Sequence, residues 1–408
     1  DTFRSFFAVS LLLLAASAEE LPASSAKCLL QTSSAHGALA PEAGGHDVKQ
    51  KVACGLLACI LVLCLVGRRL AQSSQGALSI LICAFYVAIS VTIDLSIAVQ
   101  KTKTEGSSGS AYAFNPMCAV VLTELLKLTC SAALACVGQY QKAGDSQARE
   151  SMLGITPLDV MWFMGTAIIF TFNNILVWVA IGANDMSQFG ILRDTMVIWT
   201  ACLWILVFQA PLGARRWLGI MIILGGLALN HFRAETSSSS SQGGASQAHQ
   251  ARQWGFALVL CMTFCNALGS VTNEKAFKRS AALDINLQNC VLYSGCICAT
   301  LLVMAFTDLE LLLSPSRFLE GFTRGTLLTI CLQATAGLLV SRLLKYTDSI
   351  MKTVASCIRG PVVVFIAPLL VDSPTDWQTL GSSMLIASGC VQYMLQGPMA
   401  HVAKPATE

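Results

Sequence analysis

Residues 159–182 read DVMWFMGTAIIFTFNNILVWVAIG, twenty-four residues whose one charge is at the first position. About 20 mostly apolar residues span a bilayer as a helix. With no water to satisfy its peptide groups, such a segment has to be helical. Nine further stretches are of the same kind: 76–98, 116–137, 187–208, 215–232, 254–273, 286–306, 325–344, 352–371 and 377–396. The sequence therefore predicts an all-α polytopic membrane protein with ten transmembrane helices.

The composition agrees. Of 408 residues, 54% are hydrophobic and 12% charged, against about 25% charged in soluble domains. A net charge of +3, without basic stripes interleaved with aromatics, leaves no face for nucleic acid. The 17 cysteines, all but Cys28 in or beside apolar runs, have no Cys-x-x-Cys pair and read as small hydrophobes. The five histidines lie outside the apolar cores, so no metal site and no cofactor is expected.

The Ser/Gly-bearing stretch 233–253 reads as a flexible linker that divides the helices five and five. An echo crosses it. Val207-Phe208-Gln209-Ala210-Pro211-Leu212 precedes Trp217-Leu218-Gly219, and Val364-Phe365-Ile366-Ala367-Pro368-Leu369 precedes Trp377 and Leu380-Gly381. Segments 76–232 and 254–396 are thus expected to be inverted five-helix repeats, with the fourth and ninth helices at a central cavity. If residues 68–75 are cytosolic, the cytosolic connectors and tail (397–408) carry thirteen Lys/Arg against six on the other side. The balance is ten to six if Arg342, Lys345 and Lys352 lie within the membrane. The linker is then lumenal. Within 1–50, Arg4, the apolar core 6–16 and Ala16-Ser17-Ala18 resemble a signal segment. Within 51–75, the run 52–66 ends at Arg68-Arg69 and reads as a short extra hydrophobic helix that anchors the chain after a cleaved signal; the alternative is a nonfunctional leader, with 52–66 lying in the membrane interface.

Two segments carry a family likeness. In residues 337–371, Lys345-Tyr346-x-Asp348-x-x-x-Lys352 resembles the Lys-Tyr-x-Asp-Asn-x-x-Lys signature of the CMP-sialic acid, UDP-galactose and UDP-N-acetylglucosamine transporter family. Residues 270–280, SVTNEKAFKRS, are similar to that family's Glu-Lys segment after the sixth helix. Glu124-Leu125-Leu126-Lys127, Asn173-Asn174 and Gln288-Asn289 add weaker matches. The resemblance implies a drug/metabolite-transporter fold of ten helices. It also implies exchange of a cytosolic nucleotide sugar, a UDP-sugar foremost and CMP-sialic acid as an alternative, for a lumenal nucleoside monophosphate. The membrane it implies is that of the Golgi, with the endoplasmic reticulum as the alternative. Oligomeric state is not legible.

Intramembrane ionisable groups are costly, at about 2.5–3.5 kcal/mol on insertion scales, and are usually paired or cavity-facing. Arg193 and Arg359 are candidates for substrate phosphate, because a guanidinium donates two parallel hydrogen bonds. The bland alternative is an Arg–Asp pair, with Asp194 or Asp185. The resemblance makes Lys345 a phosphate contact and brings Tyr346 and Lys352 to the substrate; by position alone the lysines fit a solvated turn, with Asp348 as a restraint. Asn173 and Asn289 suit a base edge or ribose, though intramembrane asparagines also join helices. One departure stands out: where the family's fourth helix has Tyr-Gln and then a phosphate-binding lysine, this chain has Phe189, Gly190 and Met196. Arg193, one turn earlier on nearly the same face, is expected to stand in. Other readings are a same-fold transporter of another organic anion, a membrane enzyme and a membrane scaffold. The enzyme lacks a polar catalytic cluster, and the scaffold leaves the buried Arg, Lys and Asn without a ligand.

Overall fold

The structure, a computed structural model, describes residues 75–100, 112–141, 155–184, 189, 192–238, 245–362 and 377–396. The signal-like segment, the run 52–66 and the tail 397–408 lie outside the described residues. The described elements are helices: α1 (Gln75–Gln100), α2 (Pro116–Gln141), α3 (Pro157–Ala183), α4 (Met196–Phe208), α5 (Ala214–Ser238) and α6 (Ala245–Arg279). They continue with α7 (Ile285–Thr307), α8 (Leu309–Leu313), α9 (Pro315–Phe318), α10 (Arg324–Tyr346), α11 (Ser349–Cys357) and α12 (Trp377–Met394). No strand occurs among the described residues.

Five helices, α2, α3, α6, α7 and α10, contain segments long and apolar enough to cross a membrane. The polarity of the bundle is inverted relative to a soluble protein. Met161, Ile168 and Leu302 are 69%, 61% and 59% exposed, while Glu124, Lys352, Arg342 and Arg359 are buried. In water that arrangement would forfeit about 1.5–3 kcal/mol for each large apolar side chain left outside. Against lipid it loses nothing, so the chain is a multi-pass membrane protein.

Each of the ten apolar stretches contains helix, with three corrections. α5 runs on to Ser238 and α6 begins at Ala245, so helix enters the expected linker 233–253 from both sides. The reason is composition: Ala245-Ser246-Gln247-Ala248-His249-Gln250-Ala251 is polar but rich in helix-favouring alanine and glutamine. The fourth stretch is helical at 189 and 192–194, is interrupted by a turn at Thr195, resumes as α4 from Met196 and stops at Gln209 with φ 52°. The ninth begins earlier than expected. Thr347 and Asp348 break the chain after α10, and the Asp348 carboxylate accepts from the Met351 amide at 2.7 Å, so α11 starts at Ser349. Residues 363–371 lie outside the described residues.

Packing joins α5 to α12, α3 to α6, α2 to α7, α1 to α10 and α4 to α11. Glycine makes the first crossing close: a Cβ on Gly389 would lie 2.8 Å from the Gly219 carbonyl oxygen. Such small-residue contact is how helices gain dispersion energy where lipid offers no hydrophobic drive. At one end of the bundle Tyr112, Phe114, Trp178 and Phe322 form an edge-to-face and tilted aromatic cluster, with centroids 5.1–5.7 Å apart. At the other end the buried Glu274 carboxylate accepts from Trp204 Nε1 (3.3 Å), Lys278 Nζ (2.6 Å) and the Ser349 amide (2.8 Å). That carboxylate ties α4, α6 and α11 together.

Candidate functional site

Between these ends lies a cavity of about 260 Å³, walled by α1, α2, α3, α4, α6, α7, α10 and α11. Of the expected site residues it contains Asn173, Arg193, Lys352 and Arg359, and Met196 lines it too.

Lys352 owes its place to the early start of α11, which sets it one turn inside the helix and 5% exposed. Its ammonium donates to Ser270 Oγ at 2.8 Å and Asn266 Oδ1 at 3.4 Å, both on α6. These are neutral acceptors. No carboxylate lies within ion-pair distance of Lys352 among the described residues. An ammonium has three donors, so one is left for the cavity. The solvated turn weighed from the sequence does not hold for Lys352, and Asp348 caps α11.

Arg193 precedes α4, with its guanidinium 5.1 Å from the centroid of the buried Phe189 ring. Arg359 lies just past α11; its Nε donates to the Ser356 carbonyl at 2.8 Å and its Nη2 to Asp194 Oδ1 at 3.2 Å. The Arg–Asp pairing weighed from the sequence is therefore present, on Arg359. Ser356 Oγ also donates to the Tyr86 hydroxyl at 3.1 Å.

A second polar group sits on α2, α3, α7 and α10. Lys127 donates to Glu124 Oε1, and Asn174 Nδ2 donates to the same oxygen at 3.1 Å. The ammonium of Lys127 lies 4.6 Å from the Tyr293 ring centroid, and the Tyr293 hydroxyl meets Ser341 Oγ at 3.0 Å. Gly337 makes room for this lysine, since a Cβ there would be 2.6 Å from Lys127 Cδ.

Two expected residues fall outside the cavity. α7 lines it with Leu292, Tyr293 and Cys296, and α10 with Gly337, Val340 and Ser341. Asn289 and Lys345 continue those two stripes at helical spacing, one turn beyond the cavity's end. There Asn289 is fully buried, and Lys345 Nζ donates to the Leu283 carbonyl at 3.0 Å in the α6–α7 connector. The Tyr346 side chain lies outside the described residues. Conversely, Glu124 and Lys127, quoted above only as a likeness, line the cavity. Their i, i+3 ion pair inside an apolar helix was the signal that marks them. Nothing in the sequence marked Tyr86 or Asn266.

Among the described residues the cavity gathers four cations, Lys127, Arg193, Lys352 and Arg359, against the carboxylates of Glu124 and Asp194. In a low-dielectric enclosure, an excess of two fixed cations favours an organic anion of matching charge.

Comparison with known proteins agrees. A solved crystal structure superposes with a TM-score of 0.51 at 14% identity, covering 79% of this chain and 99% of its own, which shows that the fold is shared. The UDP-galactose transporter senju of Drosophila melanogaster is 23% identical, covering 73% of this chain and 82% of the relative. The human UDP-N-acetylglucosamine transporter is 25% identical over 73% and 90% of the two chains. CMP-sialic acid transporter 3 of Oryza sativa subsp. indica is 27% identical over 64% and 63%. The sequence pattern of nucleotide-sugar transporters matches residues 76–393. This chain belongs to the nucleotide-sugar transporter family.

Proposed function

We propose that the chain carries a nucleotide sugar, a UDP-sugar foremost, from the cytosol into the Golgi lumen in exchange for a nucleoside monophosphate. The observation that carries this reading is the cavity's excess of two cations. The two phosphates of a nucleoside diphosphate sugar each hold one negative charge, which matches that excess. Arg193 supplies the fork-like donor that the fourth helix lacks at Met196, and Lys352 supplies a point charge with an open donor. Two relatives named for UDP-sugars favour uracil nucleotides.

The reading includes ten transmembrane helices in two inverted repeats, 76–232 and 254–396, joined by a lumenal linker. The packing pairs support it. Exchanging α1–α5 for α6, α7, α10, α11 and α12 in order converts the α1–α10 contact into α6–α3. The same exchange returns α2–α7, α4–α11 and α5–α12 to themselves, and all five contacts occur. Inverted repeats related by such a two-fold exchange are how many carriers achieve alternating access. Residues 1–50 are proposed as a signal-like leader, 51–75 as a short hydrophobic segment with a basic linker, and 397–408 as a cytosolic tail.

The test is uptake of UDP-galactose, UDP-N-acetylglucosamine and CMP-sialic acid into proteoliposomes preloaded with UMP, CMP or no nucleotide. Trans-stimulation of a UDP-sugar by UMP is expected. Uptake no greater than in protein-free vesicles for all three sugars refutes the reading. The altered fourth helix, Phe189, Gly190 and Met196, favours one second reading: a same-fold carrier of another organic anion. That carrier would show no trans-stimulation by any nucleotide and would respond to nucleotide-free anions instead.

A further inference from the structure

Four of the cavity's charged groups serve an anion, but Glu124 opposes one. Its side chain is fully buried on α2 and lines the cavity. Oxygen Oε1 is occupied by two donors, Lys127 Nζ and Asn174 Nδ2. Oxygen Oε2 has no hydrogen-bond partner. A buried carboxylate oxygen without a donor costs about 1–3 kcal/mol or more, so a membrane protein keeps one where a ligand completes it. Asn173 Oδ1, on the neighbouring face of α3, is a second unpartnered acceptor lining the same cavity. Both are acceptors, and neither suits phosphate. They accompany α2 and α3, whereas Arg193, Lys352 and Arg359 come from the turn before α4, from α11 and from the turn after it.

We infer that Glu124 is a specificity-determining residue, whose Oε2 accepts a hydrogen bond from a neutral donor, a hydroxyl or ring N–H, of the nucleotide sugar. This rests on the function proposed above. The substrate is thereby held in one orientation, with its phosphates toward Arg193, Lys352 and Arg359 and a donor-bearing end toward α2 and α3. The donor comes either from the hexose or from the nucleoside. In the first case the same carboxylate repels a hexose that bears its own carboxylate, because two desolvated anions disfavour each other strongly.

Glu124→Gln separates the possibilities. The two donors at Oε1 hold the glutamine carbonyl there, so an NH₂ replaces Oε2: a ring N–H then meets a donor, and a hydroxyl has to turn and accept from a neutral amide, losing its charge-assisted bond. Affinity for pyrophosphate, UDP, UDP-galactose and UDP-glucuronic acid is measured by thermal shift and by competition on purified wild-type and variant protein. Wild-type protein is expected to bind UDP-galactose. The variant is expected to lose about ten- to a hundredfold for the ligand that carries the donor, with pyrophosphate affinity unchanged or higher. Loss for UDP-galactose but not UDP, together with a gain for UDP-glucuronic acid, assigns the donor to the hexose. Equal loss for UDP and UDP-galactose assigns it to the nucleoside. Unchanged UDP-galactose affinity, or an equal loss that includes pyrophosphate, overturns the inference while leaving the transport reading standing. Failure of every nucleotide to bind wild-type protein overturns both. Should Glu124→Gln prove unstable because Lys127 loses its partner, the double variant Glu124→Gln/Lys127→Gln, compared with Lys127→Gln alone, gives the same contrasts.

Discussion

Replacing Lys352 by methionine should separate binding from folding, because the two respond in opposite directions. Lys352 is 5% exposed, and its ammonium is held by Ser270 Oγ and Asn266 Oδ1, with no carboxylate at ion-pair distance among the described residues. Removing it relieves about 2.5–3.5 kcal/mol of intramembrane charge burial. It leaves two neutral acceptors short of a donor. Both border a polar cavity where water can replace the lysine, so their cost falls near the low end of about 1–3 kcal/mol. Relief wins, and the ligand-free variant should unfold no earlier than wild type in detergent. The ligand loses a charged hydrogen bond worth about 1.5–3 kcal/mol, or roughly ten- to a hundredfold in affinity. At a concentration of 100 times the wild-type Kd, bound nucleotide stabilises wild-type protein by about 2.7 kcal/mol. A hundredfold weaker variant gains only about 0.4 kcal/mol at that concentration. Thermal unfolding with and without UDP-galactose reads both quantities. A variant that melts several degrees lower without ligand, yet keeps the full UDP-galactose shift, would show that Lys352 is a structural residue and refute this reasoning.

Three further outcomes follow from the same geometry. Arg193→Ala should abolish nucleotide-sugar exchange in proteoliposomes, and Met196→Lys added to it should partly restore exchange, because both positions line the cavity; normal transport by Arg193→Ala, or no rescue, makes Arg193 a structural group. Gly337→Ala puts a methyl 2.6 Å from Lys127 Cδ and should push that lysine off the Tyr293 ring. UDP-galactose affinity should then fall severalfold, whereas Gly381→Ala, with no neighbour within 4 Å, should be silent. A protease site or cysteine placed within residues 239–244 should be reached only from the lumenal side of sealed Golgi vesicles; cytosolic access would invert the topology proposed here.

Helix positions were largely legible because the bilayer leaves little choice: an apolar run with no partner for its peptide groups outside the chain has to satisfy them itself. Helix ends were less legible. The start of α11 depends on the Asp348 cap, and the Glu274 carboxylate that receives the Ser349 amide comes from 75 residues away. The start of α6 at Ala245 follows from the alanine and glutamine of residues 245–251, helix-favouring content that adjoins the serines and glycines of 237–244.

The site divides in the same way. Charged residues deep in apolar runs were expected to be paired or cavity-facing, and Arg193 and Arg359 line the cavity; Lys352, at the first position of its stretch, fitted a solvated turn by position alone. Which turn of each stripe the cavity occupies could not. Asn289 and Lys345 share the helical phase of the lining residues but lie one turn beyond the cavity's end, because phase is a property of one helix and depth is set where several helices converge. The sequence by itself determined that this is a helical membrane protein with buried cations and the motifs of one transporter family. Only the tertiary structure decided which cations share a cavity, that Arg359 pairs with Asp194, and that Glu124 keeps an unpartnered oxygen in it. Those are distances between residues on different helices, and local pattern holds no information about them.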